Sequence, residues 1–377
     1  MNAITKKKLR VLLIEAFYSG SHRQWAQELK HFSEHKVSIL SLPGRYWKWR
    51  MHGAAITLAR QFMQSDLQPD LLLFTDMIDV NVFLSLTRER THSIPSILYF
   101  HENQISYPWS DNDPDVRLQR DRHYGFINYA SALAVQRIIF NSAYHQHSFI
   151  EALAPFLGAF PDHQNKNTIT IIRDRATIVP LGFDLSTYRP LVPMTKSGIV
   201  ILWNHRWEYD KNPKDFFSIL MRLKQEKINF KLIILGERSS TYPPVFDQAM
   251  KNFKEEILHC GYVSDRATYI ELIQQADILP VTSVQDFFGI SIVEAIAAGV
   301  YPLLPDRLAY REHIDPLYHP YTIYSDQDDL YHRLISLLTE GTPDCQLQSH
   351  IARYDWDVVG KTMDHIIRAN DSCHPTY

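Results

Sequence analysis

Residues 198–226 read GIVILWNHRWEYDKNPKDFFSILMRLKQE. The first eight form a near-continuous apolar, β-branched run, the pattern of a strand covered on both faces. Pro213 stands where the first turn of a helix tolerates proline, and Phe216, Phe217, Leu220 and Leu223 follow at helical spacing. A strand that runs through a short loop into an amphipathic helix is the unit of a parallel α/β sheet.

The same alternation extends in both directions. Strands are expected over 9–17, 36–42, 70–76, 95–101, 136–142 and 176–181, and again over 198–205, 230–236, 259–263, 277–283 and 300–306. Helices are expected over 213–226 and over 265–276, the latter capped by Ser264. Between the two sets, residues 182–198 carry Pro190 and Pro193 and little periodicity, which marks a linker near 185–197. The expected division is a domain over 1–185, a second over 186–355, and a terminal helix (356–369) with a tail over 356–377. Doubly wound sheets bind ligands beyond the carboxyl ends of their strands. Two such domains would face each other across a cleft.

The 377 residues suffice for two domains, and 45% apolar with 21% charged residues excludes a disordered, collagenous or low-complexity chain. Three scattered cysteines, Cys260, Cys345 and Cys373, make no disulfide framework and no CxxC pair. The basic start Lys6-Lys7-Lys8 is followed by too short an apolar run for a signal peptide, and no run of about 18 apolar residues occurs. A cytoplasmic protein with no stable membrane insertion is expected. The net charge of −3 hides an asymmetry: residues 1–185 sum to +3, residues 186–377 to −6, and the first 60 alone to +8.

Two sets of residues in the second half suggest chemistry. Arg206 and Lys211 lie between the strand and the helix at 213, where two cations beside a helix N-terminus suit a diphosphate. Taken alone, such a pair reads first as solvated surface charge. Further on, VTSVQDFFGISIVEAIAAGVYPLLPD (281–306) places Asp286 and Glu294 eight residues apart around Phe287, Phe288 and Gly289. Gly289 permits a tight backbone turn at a helix start, and an ionised Glu294 can accept two hydrogen bonds from a ribose diol. The plain alternatives are an exposed helical glutamate and core phenylalanines.

The first half carries IEAFYSGSHRQW (14–25), LPGRYWKWR (42–50), YFHENQISYP (99–108) and FNSAYHQHSF (140–149). Gly20, Ser21 and His22 follow a strand and open a helix, so backbone amides and an imidazole can meet a ligand. His101 ends another strand, and its ordinary pKa suits hydrogen bonding to a sugar or proton transfer. Glu102 can orient an acceptor hydroxyl or hold its loop. Asn103 and Gln104 read more readily as loop anchors than as acceptor contacts, and Asn141-Ser142 as a helix cap. In the loop GRYWKWR, Arg45, Lys48 and Arg50 alternate with Tyr46, Trp47 and Trp49. Cations meet phosphates and aromatic faces stack on unpaired bases; equally, the tryptophans can pack on the core.

The second half resembles the nucleotide-binding domain of family 4 retaining glycosyltransferases. Arg206, Lys211 and Glu294 match that family's R-x4-K and E-x7-E elements, while Asp286 stands where a glutamate is usual. The four N-terminal motifs, in this order, resemble the tRNA-queuosine α-mannosyltransferase family. The resemblance implies an α/β fold of GT-B type, two Rossmann-like doubly wound domains facing a central cleft. It implies transfer of a hexose, with retention, from a nucleotide sugar such as GDP-mannose to queuosine in tRNA, without a metal or other cofactor. Donor contacts would come from Gly20, Ser21, His22, Arg206, Lys211, Asp286, Phe288, Gly289 and Glu294. Acceptor contacts would come from Arg45, Trp47, Lys48, Trp49, Arg50, Asn103 and Gln104, and catalytic groups from His101, Glu102, Arg206 and Lys211. The alternatives are a family 4 enzyme acting on a lipid, polysaccharide or small molecule, a GT-B sugar-nucleotide epimerase, and a non-catalytic nucleotide-sugar or RNA-binding module.

Overall fold

The computed structural model describes residues 7–110, 113–118, 120–188, 198–238, 242–343 and 345–371. Most of the expected linker, with Pro190 and Pro193, lies outside the described residues, as do Lys6 and Cys373. The chain forms two compact units, one running to Asp184 and resuming at Tyr354, the other spanning Leu185–Arg353.

In the first unit, strands β1 (Arg10–Tyr18), β2 (Lys36–Pro43), β3 (Leu71–Thr75), β4 (Ser96–Phe100), β5 (Arg137–Phe140) and β6 (Ala176–Ile178) form an all-parallel sheet in the order β2-β1-β3-β4-β5-β6. β3 and β4 are buried along their whole length, as their unbroken apolar runs require. Helix α1 (Gly20–Phe32) follows β1 and α2 (Trp47–Met63) follows β2. Met51, Ala54, Ala55, Leu58 and Phe62 of α2 enter the core beside Leu72, Phe74 and Phe83. The strand order reverses between β1 and β3, so the carboxyl ends of those two strands mark the ligand-binding position of this sheet.

In the second unit, β7 (Val200–Trp203), β8 (Lys231–Leu235), β9 (Ile257–Gly261), β10 (Ile278–Pro280), β11 (Tyr301–Pro305) and β12 (Ile323–Tyr324) form a parallel sheet in the order β12-β11-β10-β7-β8-β9. Here the order reverses between β7 and β10. The helix after β7 spans Pro213–Gln225 and buries Phe216, Phe217, Leu220 and Leu223, the face its spacing predicts. The next expected helix is Arg266–Gln274, and its cap is Asp265, not Ser264: the Asp265 carboxylate accepts the Thr268 N–H at 2.8 Å. A carboxylate is at least as good a cap as a hydroxyl, and it stands one residue closer to the helix.

The C-terminal helix Trp356–Asp371 belongs to the first unit. The Trp356 indole donates to Glu28 Oε2 at 2.7 Å and stacks on Phe32, and Asp364 accepts from Ser33 Oγ and the Glu34 N–H. No helix among the described residues is long and apolar enough to cross a membrane.

Candidate functional site

Glu15, His22, Asp76 and His101 gather at the carboxyl ends of β1, β3 and β4. Glu15 interrupts the apolar run of β1 and is fully buried; its Oε1 accepts the Phe17 N–H at 2.8 Å, and its Oε2 lies 3.2 Å from Nδ1 of His22. His22 stands in the first turn of α1, which opens at Gly20 with φ 49°. Burial pushes an imidazole toward neutrality, but the Glu15 carboxylate outweighs it and lifts His22 to about 9. Asp76, just beyond β3, is pushed up to about 8, first by burial and then by Glu102 and Glu15, against the pull of His22.

His101 is gripped through its backbone. Its N–H donates to Asp76 Oδ1 at 2.8 Å, and its carbonyl accepts from Asn141 Nδ2 at 2.9 Å. Its ring packs against His22, Trp25 and Tyr99 at centroid distances of 4.3, 4.7 and 4.9 Å. Burial, with His22 and His145 adding to it, holds this imidazole well below its ordinary pKa. Its Nε2 is buried with no hydrogen-bond partner among the described residues. An orphaned ring nitrogen is costly in a folded protein, so a ligand hydroxyl is its natural partner.

The loop beyond His101 holds itself together. Asn103 Oδ1 accepts the N–H groups of Ile105 and Ser106, and the Gln104 N–H donates to Asn128 Oδ1. Gln104 Nε2 also donates to Glu102 Oε1 at 2.9 Å. Asn103 and Gln104 are therefore anchors, the plainer of their two readings. Ser142 caps the helix Ala143–Gly158 by accepting the His145 N–H.

The GRYWKWR stretch is not the expected loop: from Trp47 onward it is the start of α2. The structure separates its members. Trp47 packs against Trp109 and Tyr124, and Lys48 Nζ lies 2.6 Å from Asp113 and 2.5 Å from Asp115, with Trp109 beneath it. Arg50 donates to the Pro43 carbonyl. Lys48 is held by two carboxylates, while Arg45 is exposed like Tyr46 and Trp49.

In the second unit, Lys211 follows β7 and is buried. Its Nζ donates to the Gln285 carbonyl at 2.7 Å and lies 2.9 Å from Asp286 Oδ1 and 3.0 Å from Asp210 Oδ2. Burial opposes its charge, but Asp286 and Asp210 reverse that and raise its pKa. Asp286 also accepts from Tyr310 OH at 2.6 Å; burial would raise its carboxyl, and Lys211 brings it below the usual range instead. Arg206 differs: its side chain is 53% exposed and pairs with Glu208 at 3.2 Å. His205, between them in character, is driven down to about 4 by burial and shares a 2.9 Å hydrogen bond with Ser291.

Gly289 takes φ 88° at the head of the helix Ile290–Ala297, the turn its sequence position suggests. The Phe288 ring, an expected donor contact, is buried against His313, and its carbonyl is bonded to His313 Nε2. The Phe288 side chain is thus part of the core of this unit. Glu294 is not an exposed helical glutamate either. Its Oε1 is 2.5 Å from Arg266 and its Oε2 accepts from Tyr269 OH at 2.9 Å, while Arg266 also donates to Tyr188 OH.

Sequence reading missed Glu15, Asp76, Asp210, Arg266 and Tyr310. Glu15 carried a signal, as a charge inside an otherwise apolar strand; Arg266 and Tyr310 carried none without the fold. One set of three residues could also hold a metal ion: ligand atoms of Glu15, His22 and His101 lie within 4.8 Å of one another.

Residues 10–183 match the family described as tRNA-queuosine alpha-mannosyltransferase N-terminal, and residues 191–354 match glycosyl transferases group 1. The chain is 31% identical to the tRNA-queuosine alpha-mannosyltransferase of Drosophila melanogaster, over 87% of this chain and 86% of that one. It is 24% identical to the GDP-mannose:cellobiosyl-diphosphopolyprenol alpha-mannosyltransferase of Xanthomonas oryzae pv. oryzae (strain PXO99A), over 62% of this chain and 59% of that one. Among solved structures, sucrose-phosphate synthase from Thermosynechococcus elongatus superposes with a TM-score of 0.71 at 11% identity, covering 96% of this chain and 99% of that one. Two Rossmann-like units of this kind are the GT-B architecture of glycosyltransferases, and the chain belongs to the tRNA-queuosine alpha-mannosyltransferase family.

Proposed function

We propose that this chain transfers mannose from GDP-mannose to the cyclopentenediol of queuosine in tRNA, with retention of anomeric configuration. The observation that carries the donor half is the buried Lys211 between Asp210 and Asp286, at the reversal of the second sheet. A lysine so placed is charged and fixed before substrate arrives, and Arg206 adds a second, more exposed cation for the departing diphosphate. Arg266 and Tyr269 hold the Glu294 carboxylate in one orientation, leaving its remaining lone pairs for sugar or ribose hydroxyls.

In the first unit, His101 offers its orphaned Nε2 to a sugar hydroxyl. The leaving group is already a nucleoside diphosphate, so charge stabilisation is the main catalytic demand and the departing phosphate can take the acceptor proton. The nucleotide sugar is a substrate and no further cofactor is invoked. A tRNA acceptor supports a cytoplasmic location. The test is release of GDP from GDP-mannose by the purified chain. Release on adding queuosine-containing tRNA, and none with tRNA lacking queuosine, is expected. Equal release with both would overturn the acceptor reading, and release only from another sugar nucleotide would overturn the donor reading.

A further inference from the structure

Helix α2 carries a glycine in its interior, Gly53, at a position where alanine is intrinsically favoured. The space a side chain would fill is taken by the indole of Trp49, one turn earlier: a Cβ on Gly53 would lie 2.7 Å from both Cε2 and Cζ2 of that ring. Gly53 is buried beneath the indole, yet Trp49 remains 63% exposed. Just before it, Tyr46 takes a left-handed conformation, φ 52°, unfavourable for a residue with a Cβ, and is 77% exposed. Arg45 and Arg60 are exposed on the same segment, within the first 60 residues that sum to +8.

We propose that Trp49, seated over Gly53, and Tyr46 form a stacking platform for an unpaired base of the tRNA, with Arg45 and Arg60 meeting its phosphates. The proposal rests on tRNA being the acceptor. A fixed, exposed ring flanked by cations is what a splayed-out base requires. A membrane surface fits less well, because the exposed apolar residues of α2 include one aliphatic side chain, Ile56. Glycine is what lets the ring settle; alanine would displace it without disturbing the core, since the ring is the free end of its side chain.

The experiment measures binding of queuosine-containing tRNA to the intact chain at fixed salt, with Tm measured in parallel. Trp49→Ala is expected to weaken binding about 5- to 100-fold, and Trp49→Phe less. Gly53→Ala is expected to weaken binding while its Tm stays at or above that of the wild type. Wild-type affinity in Trp49→Ala would overturn the platform, as would Trp49-dependent binding to phosphatidylglycerol vesicles. If the wild type still transfers a hexose to tRNA in that case, the acceptor reading survives and the platform alone fails. A wild type that neither binds nor modifies the tRNA overturns both.

Discussion

Lys211 and Arg206 are neighbours in sequence with different physical standing. Removing either should cost about 10²–10³ in turnover, the scale for a preorganised charge. Only Lys211→Ala strands two buried carboxylates, Asp210 and Asp286, so it should also cost roughly 3–5 kcal/mol of stability. Arg206→Ala should leave denaturant unfolding unchanged; a matched loss in both variants would contradict this assignment. At the other site, the folded state holds an extra proton on Asp76 between its ordinary pKa and about 8, and on His22 between about 6.5 and about 9. Stability therefore falls as pH rises through those windows. His101 and His145, held neutral by burial, act in the opposite sense only below about 6.5. Tm should thus decline from pH 7 to 9, and Glu15→Gln should flatten the decline above pH 8, where His22 is the group concerned. A decline unchanged in that variant would show that the Glu15–His22 pair is not its source.

At the scale of elements, strands and the main helices were legible because both sheets are buried on two faces and write unbroken apolar runs into the chain. Asn103 as an anchor, Ser142 as a cap and Gly289 as a helix start were legible too, since each depends on bonds or turns among residues nearby in sequence. The GRYWKWR helix was not: its core-facing partners, Trp109 and Tyr124, lie some sixty residues away or more. Arg266 was invisible for the same reason, because Glu294 gives it meaning only once two helices are packed. Gly289 supplies a test. An alanine there would take a left-handed conformation and press on Ile292 and Tyr310 at 3.2 and 3.3 Å. Gly289→Ala should cost roughly 1–2 kcal/mol from the backbone alone, and, because Tyr310 holds Asp286, should raise KM for the donor. Unfolding and donor kinetics measured together check both effects.

At the scale of the molecule, the chain builds the first unit, leaves at Asp184, and returns at Tyr354 to complete it. The return is a structural member: Trp356 is buried on Phe32 and Glu28, and Gly182 lies so close that a Cβ would meet the indole at 2.4 Å. The sequence reading of a terminal helix with a tail over 356–377 left open which sheet the helix covers, since an amphipathic helix does not announce its partner. Trp356→Ala should cost about 3–5 kcal/mol, and hydrogen exchange should show the loss in β1 and α1 while β7 and β8 keep their protection.

Glycosylation of queuosine in tRNA is the expected reaction. Its most direct test incubates the purified chain with a panel of nucleotide sugars and with tRNA containing or lacking queuosine, then weighs the digested nucleosides. The expected result is a hexose mass added to queuosine alone, with GDP-mannose as donor. A mass increase on no nucleoside with any donor, or one independent of queuosine, would contradict it.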